Sequence, residues 1–543
     1  MKRFKLFLAM AALACAIGLT VKYGSTYRPV VEPVREIEEI WALEDAREES
    51  EEPLVTRLFC NGVPMAYDAE NNVFYGSLGL ENGAQWPEIK LTASEEAAKG
   101  LSLCFADDYG FDDCDAAIRE GYSYQIFAYT DTAYSYAEVV FTGLPLVNVT
   151  ADQTIEREDV PAQIEIALAA EGLQTNGRIH KRGGASILND KVGYKLEFTR
   201  TTDGKKKIYR EIPGMGTDSQ VILLPMNALD TTMMRDRLSW ALYARLTRRD
   251  EPFSARKTQY CELFLNGEYR GVYLMLEPFS VRQEVAKAGE ERLTTDSVYR
   301  TAVISLSHGR PCMEDPYSAA TGFELYYPMD GEPDFSPLAD YFALLGETDD
   351  AAFMRRAAQI IDLDSALRYD VVLQLFGLTD NVINNMYTWA QNSRGHTRYR
   401  FDFWDLDVSW GLKRDEIGEM HENWVFFPLV DRLLRADEEG GVRKRYGEIY
   451  REVREKAFDT ETVEALVGQY AHELNDSGAM ARNAERWETE NYAADGYELV
   501  AFAAERIALL DEPVRAMSAG EEIDLRFLEK TNYDDKGTPL SEE

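Results

Sequence analysis

One run of sequence indicates both the fold and the chemistry of this chain: Trp404-Asp405-Leu406-Asp407-Val408-Ser409-Trp410-Gly411. It follows an apolar strand pattern at residues 399–403 and ends in a glycine turn. Because side chains two positions apart on a strand share a face, Asp405 and Asp407 can approach one divalent cation. Mg²⁺ typically takes one or two carboxylates, and waters and phosphate oxygens complete its coordination. The run therefore predicts a metal site at the end of a strand.

A second polar segment precedes this run along the chain: Asp380-Asn381-Val382-Ile383-Asn384-Asn385. An Asp followed five positions later by an Asn has the spacing of a phosphoryl-transfer catalytic loop, in which the Asp accepts the substrate proton and the Asn holds metal. Residues 386–391 and 398–403, around the turn at residues 392–395, predict a hairpin between the two segments. Together they predict an enzyme that uses a nucleotide. Taken alone, Asp380 is more typical of a cap on a helix or turn.

A basic, glycine-containing segment comes earlier: Lys181-Arg182-Gly183-Gly184-Ala185-Ser186, followed by Lys191 and Lys195. Small residues let backbone N–H groups approach phosphate oxygens, and a nearby lysine adds a point charge. Protein kinases present their parts in the same order as this chain: a glycine loop, a lysine, a helix, a hairpin, an Asp-x4-Asn segment and a hairpin that ends in Asp. The His-Arg-Asp, Asp-Phe-Gly and Ala-Pro-Glu signatures are absent, so any kinase here is atypical.

Composition narrows the possible functions. A chain of 543 residues exceeds what one core usually supports, so two or more domains are expected. A formal charge of −37 argues against nucleic acid as a partner, since phosphates would be repelled. The five histidines are scattered and no Gly-x-Ser-x-Gly elbow is present, so neither a zinc hydrolase nor a serine esterase is supported.

The N-terminus has the pattern of a targeting element. Basic residues precede an apolar run at residues 6–21, which is long for a signal-peptide core and short for a spanning helix. The positive-inside rule favours an uncleaved anchor with the bulk of the chain outside the cytoplasm, and a cleaved signal peptide or lipoprotein remains the alternative. We expect a signal anchor or signal peptide at residues 1–25, an acidic linker at 26–53, a β-rich module at 54–150, a larger catalytic domain at 151–516 and an acidic tail at 517–543.

The hydrophobic pattern predicts an α+β protein. Residues 54–150 alternate like short strands and predict a small β-sandwich-like module. Beyond it, strands are predicted at residues 193–199 and in a hairpin at 260–276 around Asn266-Gly267, a strong hairpin signal. Helices are predicted at residues 230–246, with Asp230 as N-cap, and at 351–361, 365–378, 424–436, 442–458 and 460–474. The cysteines have no metal spacing, and Cys104 and Cys114 are either bridged or free thiols.

These segments resemble the spore-coat-protein-H (CotH) kinase family. The matching pieces are Arg182-Gly183-x-x-Ser186 with Lys191 and Tyr194; Asp230 with Met234-Arg235-x-Arg237-Leu238; Leu265-Asn266-Gly267-Glu268-Tyr269-x-Gly271-x-Tyr273 ending in Glu277; Asp380 with Asn385 and Tyr387; and Trp404-Asp405-Leu406-Asp407-x-Ser409-x-Gly411. They span residues 177–411, and the chain to about residue 516 is compatible with the family.

The resemblance implies an atypical, kinase-like fold that binds ATP with Mg²⁺ or Mn²⁺ and phosphorylates side chains of surface or spore coat proteins. The resemblance implies that Asp380 is the catalytic base and that Lys191 contacts the phosphates. It also implies that Arg182, Gly183 and Ser186 bind the nucleotide and that Glu277 lies near the adenine. The metal ligands it implies are Asn385, Asp405 and, alternatively, Asp407. The family often has two successive lysines where this chain has Lys191-Val192, so Lys195 is a rival for the phosphate contact. A catalytically silent surface adhesion or scaffold protein on the same fold remains open, as does nucleotidyl transfer.

Overall fold

The computed structural model describes residues 29–80, 89–94, 100–106, 114–183, 185–226, 230–249, 253–280, 296–301, 322–328, 334–393, 396–412, 424–425 and 427–521. The protein is α+β, as the sequence predicts. The expected signal segment at residues 1–25 lies outside the described residues, as does most of the expected acidic tail. Within the described ranges no helix combines the length and apolar character needed to cross a bilayer.

The first part of the described chain is a β module with two sheets. Seven strands form one sheet in the order β1-β8-β9-β10-β6-β5, with β2 also paired to β10, and β4-β3-β7 form the other. The bounds are β1 (Val31–Glu32), α1 (Ile37–Asp45), β2 (Glu48–Glu49), β3 (Leu58–Cys60), β4 (Val63–Pro64), β5 (Ala66–Asp68), β6 (Val73–Ser77), β7 (Leu91–Ala93), β8 (Ser102–Phe105), α2 (Cys114–Glu120), β9 (Ser123–Tyr129) and β10 (Ala133–Thr142).

The stretch expected to be an acidic linker is part of this module over residues 31–49. Strand β1 pairs in parallel with β8, and β2 pairs in parallel with β10. Ile40 of α1 is fully buried in a cluster with Cys104 and Phe127. The acidic composition of the stretch hides these few apolar side chains, whose burial is enough to dock it on the sheet.

The next part is a closed barrel of strands in the order β11-β12-β13-β14-β17-β19-β18, closed by a parallel pairing of β11 with β18. Its first strand starts at Leu146, inside the range expected for the β module. The bounds are β11 (Leu146–Thr150), β12 (Val160–Leu168), β13 (Glu171–Arg182), β14 (Gly193–Thr199), β15 (Arg210–Ile212), β16 (Gly216–Asp218), β17 (Gln220–Leu224), β18 (Thr258–Leu265) and β19 (Glu268–Leu276), with β15 and β16 as a separate hairpin.

The remaining chain is mostly helical and contains one further sheet, in the order β21-β20-β22-β23. The bounds are α3 (Arg235–Ala244), β20 (Ser297–Thr301), β21 (Phe323–Tyr327), α4 (Ala339–Leu345), α5 (Asp350–Ile360), α6 (Leu363–Phe376), α7 (Asp380–Ile383), β22 (Met386–Ser393), β23 (His396–Phe403), α8 (Pro428–Arg435), α9 (Gly441–Lys456), α10 (Thr460–Asp476), α11 (Ala479–Trp487) and α12 (Tyr497–Ser518).

Both predicted hairpins are confirmed. Strands β18 and β19 pair around Asn266-Gly267, and β22 pairs with β23 from Met386↔Phe403 to Ser393↔His396. The prediction of Asp230 as N-cap is wrong, because helix α3 begins only at Arg235. The Asp230 carboxylate instead accepts hydrogen bonds from Thr232 and Arg235 in the preceding turn.

The barrel presents different side chains to its two surfaces. On β14, Tyr194 and Leu196 belong to the barrel's own core, whereas Lys195 between them has the opposite orientation. Lys195 lies opposite Ile222 of β17, which packs in the large core shared with the helices. The outer surface of β14 and β17 therefore faces the helical region, where the polar segments of the sequence lie.

The four cysteines of the described part are not in disulfide bonds: Cys60, Cys104, Cys114 and Cys261. Of the two alternatives for Cys104 and Cys114, the structure has the unbridged one. Burial raises the pKa of the Cys104 thiol to about 11, so it stays protonated at neutral pH.

A buried carboxyl group in the helical region predicts a pH dependence of stability. Asp370 of α6 is fully buried, accepts a hydrogen bond of 2.7 Å from the Tyr446 hydroxyl, and has its pKa raised by burial to about 7. Because this pKa lies above the value in the unfolded chain, the contribution of Asp370 to stability is present below about pH 4 and is lost as the pH rises to about 7.

We expect Asp370→Asn to be more stable than the parent protein at pH 8, by on the order of 2 kcal/mol, and to lose that advantage at pH 4. Urea unfolding of both proteins at the two pH values measures the difference. An Asn variant that is equally or less stable at pH 8 would show that Asp370 ionises without penalty.

Candidate active site

Helix α6 leads directly into the first candidate segment. It ends at Phe376, the following Gly377 has a φ of 66° that suits a left-handed C-cap, and the short helix α7 then begins at Asp380. Asp380 is 1% exposed. Its two carboxylate oxygens accept hydrogen bonds from the side-chain amides of Asn384 (3.0 Å) and Asn385 (2.8 Å). The predicted Asp and Asn therefore lie side by side, and the Asn385 amide oxygen is turned away from Asp380.

The second candidate segment lies against the first. Asn381, fully buried, donates hydrogen bonds from its amide nitrogen to the backbone carbonyls of Trp404 (2.7 Å) and Asn385 (3.3 Å). Both Asn385 and Asp405 have left-handed backbones, with φ of 59° and 56°. Asn and Asp tolerate this region better than other non-glycine residues, and strained residues of this kind concentrate at functional sites.

Helix α3 holds the 404–411 segment from another direction. The Asp236 carboxylate accepts a hydrogen bond from Leu406 N–H (3.0 Å), Arg235 Nε donates to Ser409 O (3.1 Å), and Ser239 Oγ accepts from the Trp410 indole (2.9 Å). Burial and then the nearby carboxylates of Asp407 and Asp405 raise the pKa of Asp236. Three carboxylates thus lie near one another, and sequence reasoning missed Asp236, which occupies the unassigned position of the Met234-Arg235-x-Arg237 motif.

The glycine segment reaches the same place through Arg182. The Arg182 guanidinium lies over the Trp404 ring at 5.6 Å from its centroid, a cation–π contact next to Asp405. Gly183 has φ of 125°, and a Cβ there would collide with the Ser186 hydroxyl, so this position requires glycine. Arg182 and Gly183 therefore lie at the edge of the candidate site, with Ser186 exposed beside them.

The described contacts of Lys191 are with another part of the protein. Its ammonium group donates to Val272 O (2.6 Å) and to Asn483 Oδ1 of α11 (2.9 Å), between the rings of Tyr273 and Trp487. Burial lowers its pKa to about 7. These contacts tie Lys191 to β19 and α11, and they include none of the candidate catalytic or metal-binding residues.

Lys195 has different surroundings. It lies on the outer face of β14. Gly193, two residues earlier on the same strand, pairs with Arg182 of the neighbouring strand β13. Burial and the nearby charges of Lys207 and Arg182 lower its pKa, whereas the carboxylates of Glu197 and Asp159 partly oppose this shift. Among the hydrogen bonds and ion pairs of the described residues, none involves the Lys195 side chain. Of the two lysines, Lys195 has the ammonium group that is still available for a ligand.

Glu277 follows β19 as expected, but its carboxylate is occupied. Both oxygens accept hydrogen bonds from the Arg249 guanidinium (2.7 and 2.8 Å), and one also accepts from Lys257 N–H (3.0 Å). Although burial opposes it, these donors hold the pKa of Glu277 below its ordinary value. Any contact of this residue with an adenine ring would therefore come from its backbone.

The donor set is suited to a hard divalent cation. Asn385, Asp405 and Asp407 supply amide and carboxylate oxygens, which Mg²⁺ and Mn²⁺ prefer. In the same ranges no group of three or more His, Cys, Asp and Glu residues is arranged to enclose a metal. Mg²⁺ is commonly held by only one or two carboxylates, and waters and substrate phosphate oxygens complete its coordination.

Comparisons with known proteins agree with the resemblance drawn from the motifs. A family model described as CotH kinase protein matches residues 179–510 of the chain. The match begins in β13, just before the glycine segment, and includes every candidate site residue. No curated protein matches the chain.

Proposed function

The chain belongs to the CotH kinase protein family, and from that premise we propose that it is an atypical protein kinase dependent on ATP and a divalent metal. The observation that supports this most is the joining of the two polar segments: Asp380 is bonded to Asn385, and Asn381 connects them to the Asp405 segment. This is the set of side chains that phosphoryl transfer needs, a base beside an amide and a carboxylate that can hold metal.

In the proposed reaction Asp380 accepts the proton of a Ser, Thr or Tyr hydroxyl as the oxygen attacks the γ-phosphorus and the bond to the leaving ADP oxygen breaks. The amides of Asn384 and Asn385 each donate a hydrogen bond to Asp380 and hold both of its carboxylate oxygens in place. Asn385, Asp405 and, alternatively, Asp407 would hold Mg²⁺ or Mn²⁺, which supplies charge neutralisation on the phosphates. Arg182 and Gly183 lie where they can contact the same phosphates, with Ser186 beside them.

The geometry favours Lys195 over Lys191 for the contact with the phosphates, so we expect their substitutions to differ in kind. Lys195→Ala should lower kcat/KM for ATP by about tenfold, because a positive charge near the phosphates is lost. Lys191→Ala should mainly lower the thermal midpoint, because it leaves Val272 O and Asn483 without their donor. Steady-state kinetics and thermal unfolding of both variants, with exposed Lys206→Ala as control, separate the two. A loss of kcat/KM in Lys191→Ala together with a loss of thermal stability in Lys195→Ala would instead assign the phosphate contact to Lys191.

The decisive experiment supplies the purified full chain with γ-labelled or α-labelled ATP and either Mg²⁺ or Mn²⁺. Label transferred to protein from the γ-phosphate alone is the expected result. Transfer from the α-phosphate would instead indicate nucleotidyl transfer. If neither label is transferred to the chain itself or to candidate surface and coat proteins, and calorimetry detects no ATP binding, the kinase proposal fails and an adhesion or scaffold role replaces it.

We further propose that the N-terminal segment at residues 1–25 attaches the protein to a membrane, with the kinase domain on the extracytoplasmic side or in a developing spore coat. The substrates would then be surface or coat proteins. ATP is scarce outside most cells, so an enclosed compartment is the setting in which this activity is feasible. Fractionation of cells that produce the protein, followed by protease accessibility of the intact membranes, tests the location.

A further inference from the structure

Asn381 belongs to the first segment of the candidate site, and its side chain bonds to the backbone of both segments. Its side chain is fully buried, and its single NH₂ group donates to the carbonyls of Asn385 and Trp404. Its own backbone carbonyl accepts a hydrogen bond of 2.8 Å from the hydroxyl of Tyr369, which is buried in α6. The position of the Asn381 amide is therefore fixed by the helix and in turn fixes two backbone carbonyls.

Those two carbonyls control the two left-handed residues. The carbonyl of Trp404 belongs to the peptide unit whose rotation is the φ angle of Asp405. The carbonyl of Asn385 belongs to the unit whose rotation is the ψ angle of Asn385. A left-handed backbone at a non-glycine residue is unfavourable by about 1–2 kcal/mol and persists only where its surroundings enforce it. A hydrogen bond to each carbonyl opposes relaxation to the ordinary conformations.

Other contacts fix the opposite sides of the same residues. Asn385 N–H donates to Thr301 O (3.2 Å), and Leu406 N–H, after Asp405, donates to Asp236. Thr301 lies in β20 and Asp236 in α3, so each of these contacts holds one segment on its own. The Asn381 side chain differs because one rigid group bonds to both segments, and a shift of either would break a buried hydrogen bond.

We propose that Asn381 is a positioning residue that sets the distance and orientation between the catalytic segment and the metal-binding segment. The inference rests on the proposed function for its effect on phosphoryl transfer. Its structural part, the enforced conformation of Asn385 and Asp405, can be measured without activity. Substituting a residue that orients the metal ligands without itself contacting the metal typically lowers metal affinity or activity 10–100-fold.

The test uses Asn381→Leu, which keeps the branched shape of the side chain but has no donor, and Asn381→Ser as a smaller second variant. We expect Asn381→Leu to raise the half-saturating Mg²⁺ concentration by about tenfold and to lower kcat, with KM for the acceptor protein unchanged. Hydrogen exchange of the amides in residues 404–411 should become faster in both variants. Gln374→Leu is the matched control, since Gln374 is equally buried and its amide also bonds backbone, at Val425. It should lose stability without changing the Mg²⁺ requirement or exchange in 404–411.

Each outcome decides one of the two proposals. Asn381 variants with the parental Mg²⁺ requirement and parental exchange in residues 404–411 would overturn the positioning role. A parent protein that neither binds ATP with Mg²⁺ nor transfers phosphate would overturn the proposed function, and the exchange measurement would still test whether Asn381 holds the loop. Faster exchange everywhere, in the Asn381 variants and in Gln374→Leu alike, would show a general loss of stability and would also reject the positioning role.

Discussion

Asp380→Asn should lower the rate of phosphoryl transfer by roughly 10²–10⁴-fold, the range that a well-placed general base contributes. The substitution keeps the size of the side chain but removes the carboxylate that we propose as acceptor of the substrate proton. It also replaces one acceptor oxygen by an NH₂ group, which would face the amide donor of either Asn384 or Asn385. The measurement is a single-turnover rate with γ-labelled ATP, which separates the chemical step from product release.

The matched control is Asp340→Asn, another Asp-to-Asn change in the helical region. Asp340 is exposed at the start of α4 and pairs with Arg356 at 2.8 Å, so its substitution should leave the transfer rate unchanged. An Asp380→Asn protein that binds ATP and Mg²⁺ like the parent but transfers no phosphate would support a base. Retention of more than a tenth of the rate would mean that Asp380 is a structural residue whose carboxylate only orders the Asn384 and Asn385 side chains.

The sequence predicts those parts of the candidate site that are local. The five-residue spacing of Asp380 and Asn385 follows from one turn of chain, and the hairpin to Asp405 follows from a period-two pattern around a turn. Lys191 and Asp236 depend on tertiary packing instead. Which of Lys191 and Lys195 remains available near the candidate site is decided by where the barrel closes and by the docking of α11 on Lys191, and neither leaves a local signal.

The fold is predicted unevenly for the same reason. Strand β14 and the hairpin of β18 and β19 match the predicted strands, because alternation and Asn-Gly are short-range signals. That β11 belongs to the barrel cannot be read from its own residues, since the pairing of β11 with β18 joins strands more than a hundred residues apart. Charge is also misleading in the acidic stretch, where a few buried side chains such as Ile40 decide the structure.

A buried ion pair between the barrel and α11 should be highly sensitive to loss of one charge. Glu262 of β18 is fully buried, and its carboxylate accepts two hydrogen bonds from Arg482 of α11, at 2.8 and 2.9 Å, and one from the Tyr269 hydroxyl. Although burial opposes it, Arg482 holds the pKa of Glu262 below its ordinary value. Arg482→Met leaves this carboxylate buried without its partner, so we expect a loss of about 3–5 kcal/mol in the free energy of unfolding.

Urea unfolding of Arg482→Met, Glu262→Gln and the double variant measures the loss and its cause. If the unpaired charge is responsible, the double variant should be more stable than Arg482→Met alone, because no carboxylate is then left buried without a cation. Arg356→Met, which breaks an exposed pair with Asp340, should lower stability by less than about 1 kcal/mol. A double variant no more stable than Arg482→Met would assign the loss to packing of the arginine itself.

The consequences should extend beyond the pair, because it lies where three parts of the protein meet. Tyr269, which donates to Glu262, stacks with Tyr75 of the β module at a centroid distance of 5.7 Å. Helix α11 also carries Asn483, whose side chain accepts from Lys191 and from Val272 N–H. We therefore expect Arg482→Met to speed hydrogen exchange in α11 and in β19 together. Faster exchange confined to α11 would mean that the helix docks on the barrel without supporting it.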